Sequence, residues 1–298
     1  MTVAEIAMIG AALLGVGYVF VGLLIVWPAT SNAARPILPI LNTETIIAVA
    51  VVVPFLLPPA VRVPLLIVFA ARIVWEAAKV AILRRGDGLS MPVVIAATAA
   101  SALFAGLLQQ GLDGMTRLAA VAAVVVVLLG ALMAARRRGN DSLAGLCIET
   151  ALFPGLPLGL AVAAAAGETL AALLLGAFIL VETFDSYALL GGKLFGRTRI
   201  FPRLSPNKTA EGLGFGAAMM FLTATGLAWA TGIATMQQAV LAALVAGLAT
   251  VSGDLLASRL KRASGVKDYP PIMRHQGGVL DIADAMLIAG ALVALLPN

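Results

Sequence analysis

Six carboxylates in the second half of this sequence stand where carboxylates are expensive. Glu149, Glu182, Asp185, Asp254, Asp281 and Asp284 all fall within or at the ends of strongly apolar runs. A charged acid at the centre of a bilayer-spanning helix costs about 2.5 to 3.5 kcal/mol even on the lenient insertion scale, so each needs a partner or a purpose. Glu182 with Asp185 and Asp281 with Asp284 are three residues apart, and each pair projects from one helix face. Acids crowded in this way call for a cation, either a metal ion or a neighbouring lysine or arginine. The second, purely structural explanation is preferred for Glu76, which has Arg72 four residues before it and Lys79 three after, while Glu149 stays open between the two. For Asp185, Asp254 and Asp281 the functional explanation is favoured, because each belongs to a dense polar motif.

The first motif, residues 185–212, reads DSYALLGGKLFGRTRIFPRLSPNKTAEG. Its middle is expected to be a loop holding Gly191, Gly192 and Gly196, five cations, Pro202 and Pro206, and to end where a helix starts near residue 210. Backbone amides at such a helix start, with Asn207, Lys208 and the hydroxyls of Ser205 and Thr209 nearby, are of the kind that bind phosphate oxygens. This is not a P-loop, which requires glycine directly before the lysine and a preceding strand, whereas Asn207 precedes Lys208 in a helical context. A basic loop resting on anionic lipid headgroups would explain the charge, but not the conjunction of Asp185, SPNKT and Glu211.

The second motif, residues 253–284, reads GDLLASRLKRASGVKDYPPIMRHQGGVLDIAD. On a helix Asp254, Ser258 and Lys261 share a face, with the acid about 10 Å deeper than the lysine at 1.5 Å per residue. A loop follows with Lys267, Asp268, Arg274 and the pair Gly277 and Gly278, whose lack of side chains lets backbone approach a ligand closely. Asp281 and Asp284 then open a helix, where the positive end of the dipole would favour carboxylates with or without a metal. The single histidine, His275, reads as a hydrogen-bonding loop residue rather than a ligand, and the single cysteine, Cys147, as packing.

The elements that must position these groups are set by composition. With 61% of 298 residues apolar, 12% charged and a mean hydropathy of +1.03, the chain has too little polar surface for a soluble globule and belongs in a bilayer. A span needs about 20 apolar residues. That length picks out ten stretches, 5–27, 43–58, 60–83, 91–110, 115–135, 142–166, 168–190, 210–231, 236–258 and 279–297, giving an all-α, polytopic membrane bundle. The second, broken by Pro54, Pro58 and Pro59, allows nine helices with a re-entrant piece instead. The N-terminal run lacks a basic leader and reads as a retained first helix. All lysines and arginines except Arg62, Arg72, Lys79 and Arg117 fall in connections from odd to even helices, which places those connections, and every motif carboxylate, on the cytoplasmic side. No repeat or long linker divides the chain, so 1–298 is read as one membrane domain, with 1–140 mainly scaffold and 145–298 the catalytic half.

GDLLASRLKRASGVKD followed by GGVLD resembles the signature of the CDP-diacylglycerol synthase family, also called phosphatidate cytidylyltransferases, and DSYALLGGKLFG with SPNKTAEG resembles its upstream motif. The resemblance covers about a third of the chain. It implies transfer of CMP from CTP to a membrane lipid phosphate, with Asp254 and Asp281 holding Mg2+, Asp185 and Asp284 nearby, and a second cation such as K+ as an option. It further implies that Ser258, Lys261, Arg262, Lys267 and Asp268 match the signature, and that Lys208 meets phosphate. Nucleic acid is not an expected partner; a homodimer is one possible assembly. Three departures stand out: Gln276 where the family has histidine, Ile282 where it has arginine, and a loop reading YPPIMRH. Losing an arginine removes a bidentate phosphate donor, for which Arg274 is a candidate replacement. These departures bear on the substrate: phosphatidate is the first choice, and a paralogue using another lipid phosphate or a catalytically weak homologue are the alternatives. A secondary transporter would also gather intramembrane acids, but it should show an inverted repeat, and none is found.

Overall fold

The computed structural model describes residues 2–28, 31–86, 88–137, 139, 142–232, 234–272 and 277–296. Arg138, Arg274, His275 and Gln276 lie outside the described residues. In chain order the long helices are α1 (Val3–Val26), α2 (Leu38–Leu56), α3 (Pro59–Ile82), α4 (Met91–Gly111), α5 (Gly114–Arg136), α6 (Leu143–Ala164), α7 (Glu168–Phe195), α8 (Ala210–Thr231), α9 (Met236–Ala263) and α10 (Val279–Ala294). The architecture is the all-α membrane bundle expected from composition. Among the described residues seven helices, all but α2, α3 and α10, are long and apolar enough to cross a membrane. The other three fall short for visible reasons: the apolar part of α2 is only Leu41–Leu56, α3 carries four charged residues, and α10 has 16 residues.

Helix ends follow ordinary capping chemistry. Thr2 and Glu5 form a capping box on α1, the Asp113 carboxylate accepts from Thr116 N at 3.0 Å to start α5, and the Ser142 hydroxyl accepts from Gly145 N at 3.2 Å to start α6. α8 stops at Gly232, whose φ of +65° only glycine adopts cheaply. Two helices run past their expected ends: α7 continues to Phe195 and α9 to Ala263. Gly191 and Gly192 are therefore helical rather than part of a loop. Between α7 and α8 the chain forms a small antiparallel hairpin, β1 (Arg199–Phe201) with β2 (Ser205–Thr209), pairing Arg199 with Thr209 and Phe201 with Ser205. SPNKT is thus strand β2, where a loop was expected.

The chain divides into two compact units, Met1–Arg62 with Ala171–Gly247, and Val63–Leu170 with Leu248–Asn298. In the first, α7 and α8 cross backbone to backbone. A Cβ on Gly212 would stand 2.6 Å from the Ala188 carbonyl oxygen, and one on Gly216 would stand 2.6 Å from that of Phe184, so only glycine permits the approach. Tyr187 and Phe215 meet edge to face, with centroids 6.0 Å apart, above a small core of Val21 and Leu190. A mostly apolar cavity of about 280 Å3 lies among α1, α2 and α7 of this unit and is lined in part by Glu44, Glu182 and Ser186.

The second unit holds the larger core, built from Ile73, Ala77, Val94, Leu146, Phe153, Tyr269 and Leu280, with Cys147 packed against it. α6 is interrupted at Ala151–Gly155, where Pro154 lies and Phe153 leaves helical geometry. Thr98 of α4 donates to Thr150 of α6 at 2.7 Å across the interface they share. Glu149, open on sequence grounds, is an ion-pair partner: Arg84 reaches one oxygen at 2.6 Å and Arg136 the other at 3.3 Å. Arg117 is fully buried and donates to the Gln109 and Leu296 carbonyls, each at 3.0 Å, so a guanidinium closes the C-terminal ends of α4 and α10 together.

Candidate active site

In the second unit the loop between α9 and α10 folds around one carboxylate. Asp281 Oδ2 accepts from Tyr269 N at 2.8 Å and Gly278 N at 2.9 Å, while Oδ1 takes the Lys261 ammonium in a direct ion pair. Lys261 and Asp281 stand on different helices and are both largely buried. Their meeting is prepared by the lysine's position two turns along α9 from Asp254, with Ser258, also buried, between them. Gly253 brings the two helices into contact, since a Cβ there would stand 2.6 Å from Ala285 Cα. This places Asp254 in the turn that packs on the Asp284–Ala285 backbone, with Asp254 Oδ2 shut off from solvent and Asp284 buried.

The two glycines before α10 have their own explanation. A Cβ on Gly277 would fall inside van der Waals contact of Asp281 Oδ2, and one on Gly278 would collide with the carboxylate of Glu76. Glu76, fully buried on α3, accepts from Val279 N at 3.0 Å and Leu280 N at 2.9 Å and pairs with Arg72 at 2.7 Å. Arg72 in turn donates to the Pro270 carbonyl at 3.1 Å, and its guanidinium lies 4.5 Å from the Trp75 ring centroid. The close approaches expected of Gly277 and Gly278 exist, and they are approaches to two protein carboxylates. Tyr269 is fully buried in the core of this unit. Burial first, then the neighbouring Asp281, Asp284, Glu76 and Glu149 carboxylates, pushes its phenol up from the usual range, so it stays protonated. Arg262 holds the Val266 carbonyl at 2.9 Å, and Lys267 and Asp268 are exposed.

In the first unit, SPNKT leads straight into α8. The Thr209 hydroxyl accepts from Gly212 N at 3.1 Å as the N-cap, so it is committed to the helix. Glu211 reaches back to the residues before the hairpin, accepting from Arg197 N at 3.0 Å and Thr198 N at 3.1 Å. Lys208 and Ser205 are half-buried, Asn207 is exposed, and Asp185 is half-buried two turns before Gly192 on α7. Gly192 packs on the same corner: a Cβ there would meet Thr209 Oγ1 at 3.4 Å.

A model of the cytidylyltransferase family matches residues 40–298, most of the chain. The chain belongs to this family. Among curated relatives, it is 40% identical over 114 residues to a phosphatidate cytidylyltransferase of Helicobacter pylori strain J99, over 38% of this chain and 42% of that protein. It is 40% identical over 111 residues to a phosphatidate cytidylyltransferase of Thermotoga maritima, over 35% of this chain and 41% of that one. It is also 34% identical over 117 residues to the uncharacterized protein YnbB of Escherichia coli, over 39% of each. The chain thus spans about two fifths of the length of these curated relatives.

Within this member of the cytidylyltransferase family, then, the second-motif residues Asp254, Ser258, Lys261, Gly277, Gly278, Asp281 and Asp284 gather in one unit, with Arg262 in the same turn as Lys261. Among the described residues no three of His, Cys, Asp and Glu form a ready metal cage. That does not oppose Mg2+, which keeps several waters and is usually held by one or two carboxylates together with substrate phosphates. The donor set fits such an ion: hard oxygen ligands, and an Asp281 carboxylate whose Oδ2 is fixed by two amides while Oδ1 faces a cation, here the Lys261 ammonium. One residue escaped the sequence argument. Glu76 looked satisfied by Arg72, and its partners at 279 and 280 lie some 200 positions away, where no local spacing can show them.

Proposed function

We propose that this chain transfers CMP from CTP to a lipid phosphate, phosphatidate first, giving CDP-diacylglycerol and releasing pyrophosphate. The observation that carries the proposal is the buried Lys261–Asp281 pair, which joins the two helices that bear the stretches resembling the family signature, within a membrane-embedded helical protein. The lipid phosphate is already anionic at neutral pH, so its oxygen can attack the α-phosphorus of CTP with no strong base. The P–O bond to pyrophosphate breaks as the new one forms. Chain residues then have to gather and balance negative charge.

Lys261 would do so: it is largely buried, and its ammonium would pass from Asp281 to an incoming phosphate oxygen. Asp254 and Asp281, with Asp284 one turn further along α10, would hold Mg2+, which when bound supplies charge neutralisation at the reacting phosphates. K+ as a second ion belongs to the same proposal. Ser258 would bind substrate from the same face of α9, and Arg262, Lys267 and Asp268 would do so from the loop end. Lys208, with Ser205 and Asn207 in β2, would contact phosphate, as would Asp185 through a bound cation. Both motifs are proposed to face the cytoplasm, where CTP is. The reaction as written needs one copy of the chain.

The test is pyrophosphate release from CTP by detergent-purified protein with Mg2+ and a panel of lipid phosphates. Release that depends on the lipid supports the proposal, and the preferred lipid reveals how Gln276 and Ile282 affect selection. No release with any lipid phosphate refutes it.

A further inference from the structure

We infer that Glu76, which lies on α3 outside both motifs, is a positioning residue for the Asp281 carboxylate; the inference rests on the reaction proposed above. A helix begins with backbone amides that lack intrahelical partners, and a side chain at its own N-cap ordinarily accepts from them. At the start of α10 the N-cap is Gly278, which has no side chain to offer. Glu76 supplies the missing acceptor from another helix, with Oε1 on Val279 N and Oε2 on Leu280 N. The next residue is Asp281, whose Oδ2 takes the preceding amide, that of Gly278, together with Tyr269 N.

Three consecutive amides are thus divided between two carboxylates, and this division fixes the rotation of the first turn. Successive residues on a helix are 100° apart at 3.6 per turn, so a modest rotation of that turn swings Asp281 Oδ1 away from Lys261. An ordinary ion pair does not explain this arrangement. Arg72 alone would neutralise Glu76, yet both carboxylate oxygens are also spent on α10 amides, and Gly278 is glycine where any Cβ would strike that carboxylate. Arg72 adds a second hold on the loop through the Pro270 carbonyl.

The experiment compares Glu76→Gln and Glu76→Asp with Glu149→Gln in the full-length, detergent-purified protein. Glu149 is a buried ion-pair residue of the same unit, but its carboxylate is held by Arg84 and Arg136 rather than by the amides at the start of α10. Two readouts are taken: Mn2+ affinity by electron paramagnetic resonance without substrate, and the Mg2+ dependence of pyrophosphate release. Partners that orient a metal-binding carboxylate typically cost about 10- to 100-fold in metal affinity or activity when changed. Glu76→Gln is therefore expected to weaken Mn2+ binding and raise the half-saturating Mg2+ by about tenfold or more. Glu76→Asp, which keeps the charge, should show a smaller shift in the same direction, and it carries the test if the glutamine variant does not fold. Glu149→Gln should lower the melting temperature and leave both readouts in place. Equal effects of Glu76→Gln and Glu149→Gln on metal affinity, or none from either Glu76 variant, overturn the inference, as does a wild-type protein that binds no Mn2+. A wild-type protein that binds Mn2+ but releases no pyrophosphate refutes the reaction, while Mn2+ affinity lost in Glu76→Gln still supports the positioning role.

Discussion

Replacing Gly278 by alanine tests the geometry at the start of α10 with a single methyl group. Gly278 has φ −76° and ψ 179°, a conformation open to any residue, so backbone strain is not what requires glycine there. The obstacle is the Glu76 carboxylate, which the new Cβ would overlap. To make room, Glu76 must leave Val279 N and Leu280 N. Hydrogen bonds to a charged group are worth about 1.5 to 3 kcal/mol each, so Gly278→Ala should destabilise the protein by about 3 to 6 kcal/mol. The mechanism makes a second demand. In a Glu76→Ala background the methyl group has space, and alanine at a compatible position should be neutral or stabilising by about 0.4 to 1 kcal/mol through the unfolded state. The assay is denaturant unfolding in detergent, followed by tryptophan fluorescence, since Trp75 lies one residue from Glu76. A double-mutant cycle should then return a coupling of about 3 kcal/mol or more. If Gly278→Ala costs the same with and without the Glu76 side chain, the clash is elsewhere and the reasoning is wrong.

Further outcomes can be stated briefly. Asp254→Asn should abolish turnover while leaving the unfolding midpoint near the wild-type value; retained turnover removes Asp254 from the reaction. Lys208→Ala should lower kcat/KM for CTP or lipid, whereas unchanged kinetics would mean that β2 only rests against headgroups. Thr209→Ala removes the N-cap of α8 and should cost about 1 kcal/mol of stability, read from the unfolding midpoint, and no cost would show that the cap is dispensable.

What was legible in the sequence was what the bilayer dictates. The length rule fell on each of the ten long helices among the described residues, because hydrocarbon thickness sets a minimum run of apolar residues, but only seven of them are long and apolar enough to cross. It placed the ends of α7 and α9 too early because polar residues such as Lys193, Lys261 and Arg262 end the apolar run before they end the hydrogen bonding. The β1–β2 hairpin was read as loop, since its prolines and cations, with Gly196 just before it, carry turn signals and no alternation long enough to announce a strand. In the second motif the acids, the lysine and the glycine pair were all visible, but what the glycines serve was not. Their partners are Asp281 and Glu76, and the second belongs to a segment whose own spacing offered a complete local explanation in Arg72.

The Glu76 arrangement also bears on the order of assembly. The chain is made from its N-terminus, so α3 exists while the α10 amides, 203 and 204 residues further on, are still unmade. During that interval an isolated carboxylate in α3 would oppose insertion. Arg72, one helical turn earlier, travels with it and serves as its counter-charge from the start. The hydrogen bonds that finish the carboxylate arrive only when the last helix docks. Docking is therefore the event that turns a tolerated acid into a structural one, and a nascent chain halted before residue 279 should hold α3 without the clamp it later provides.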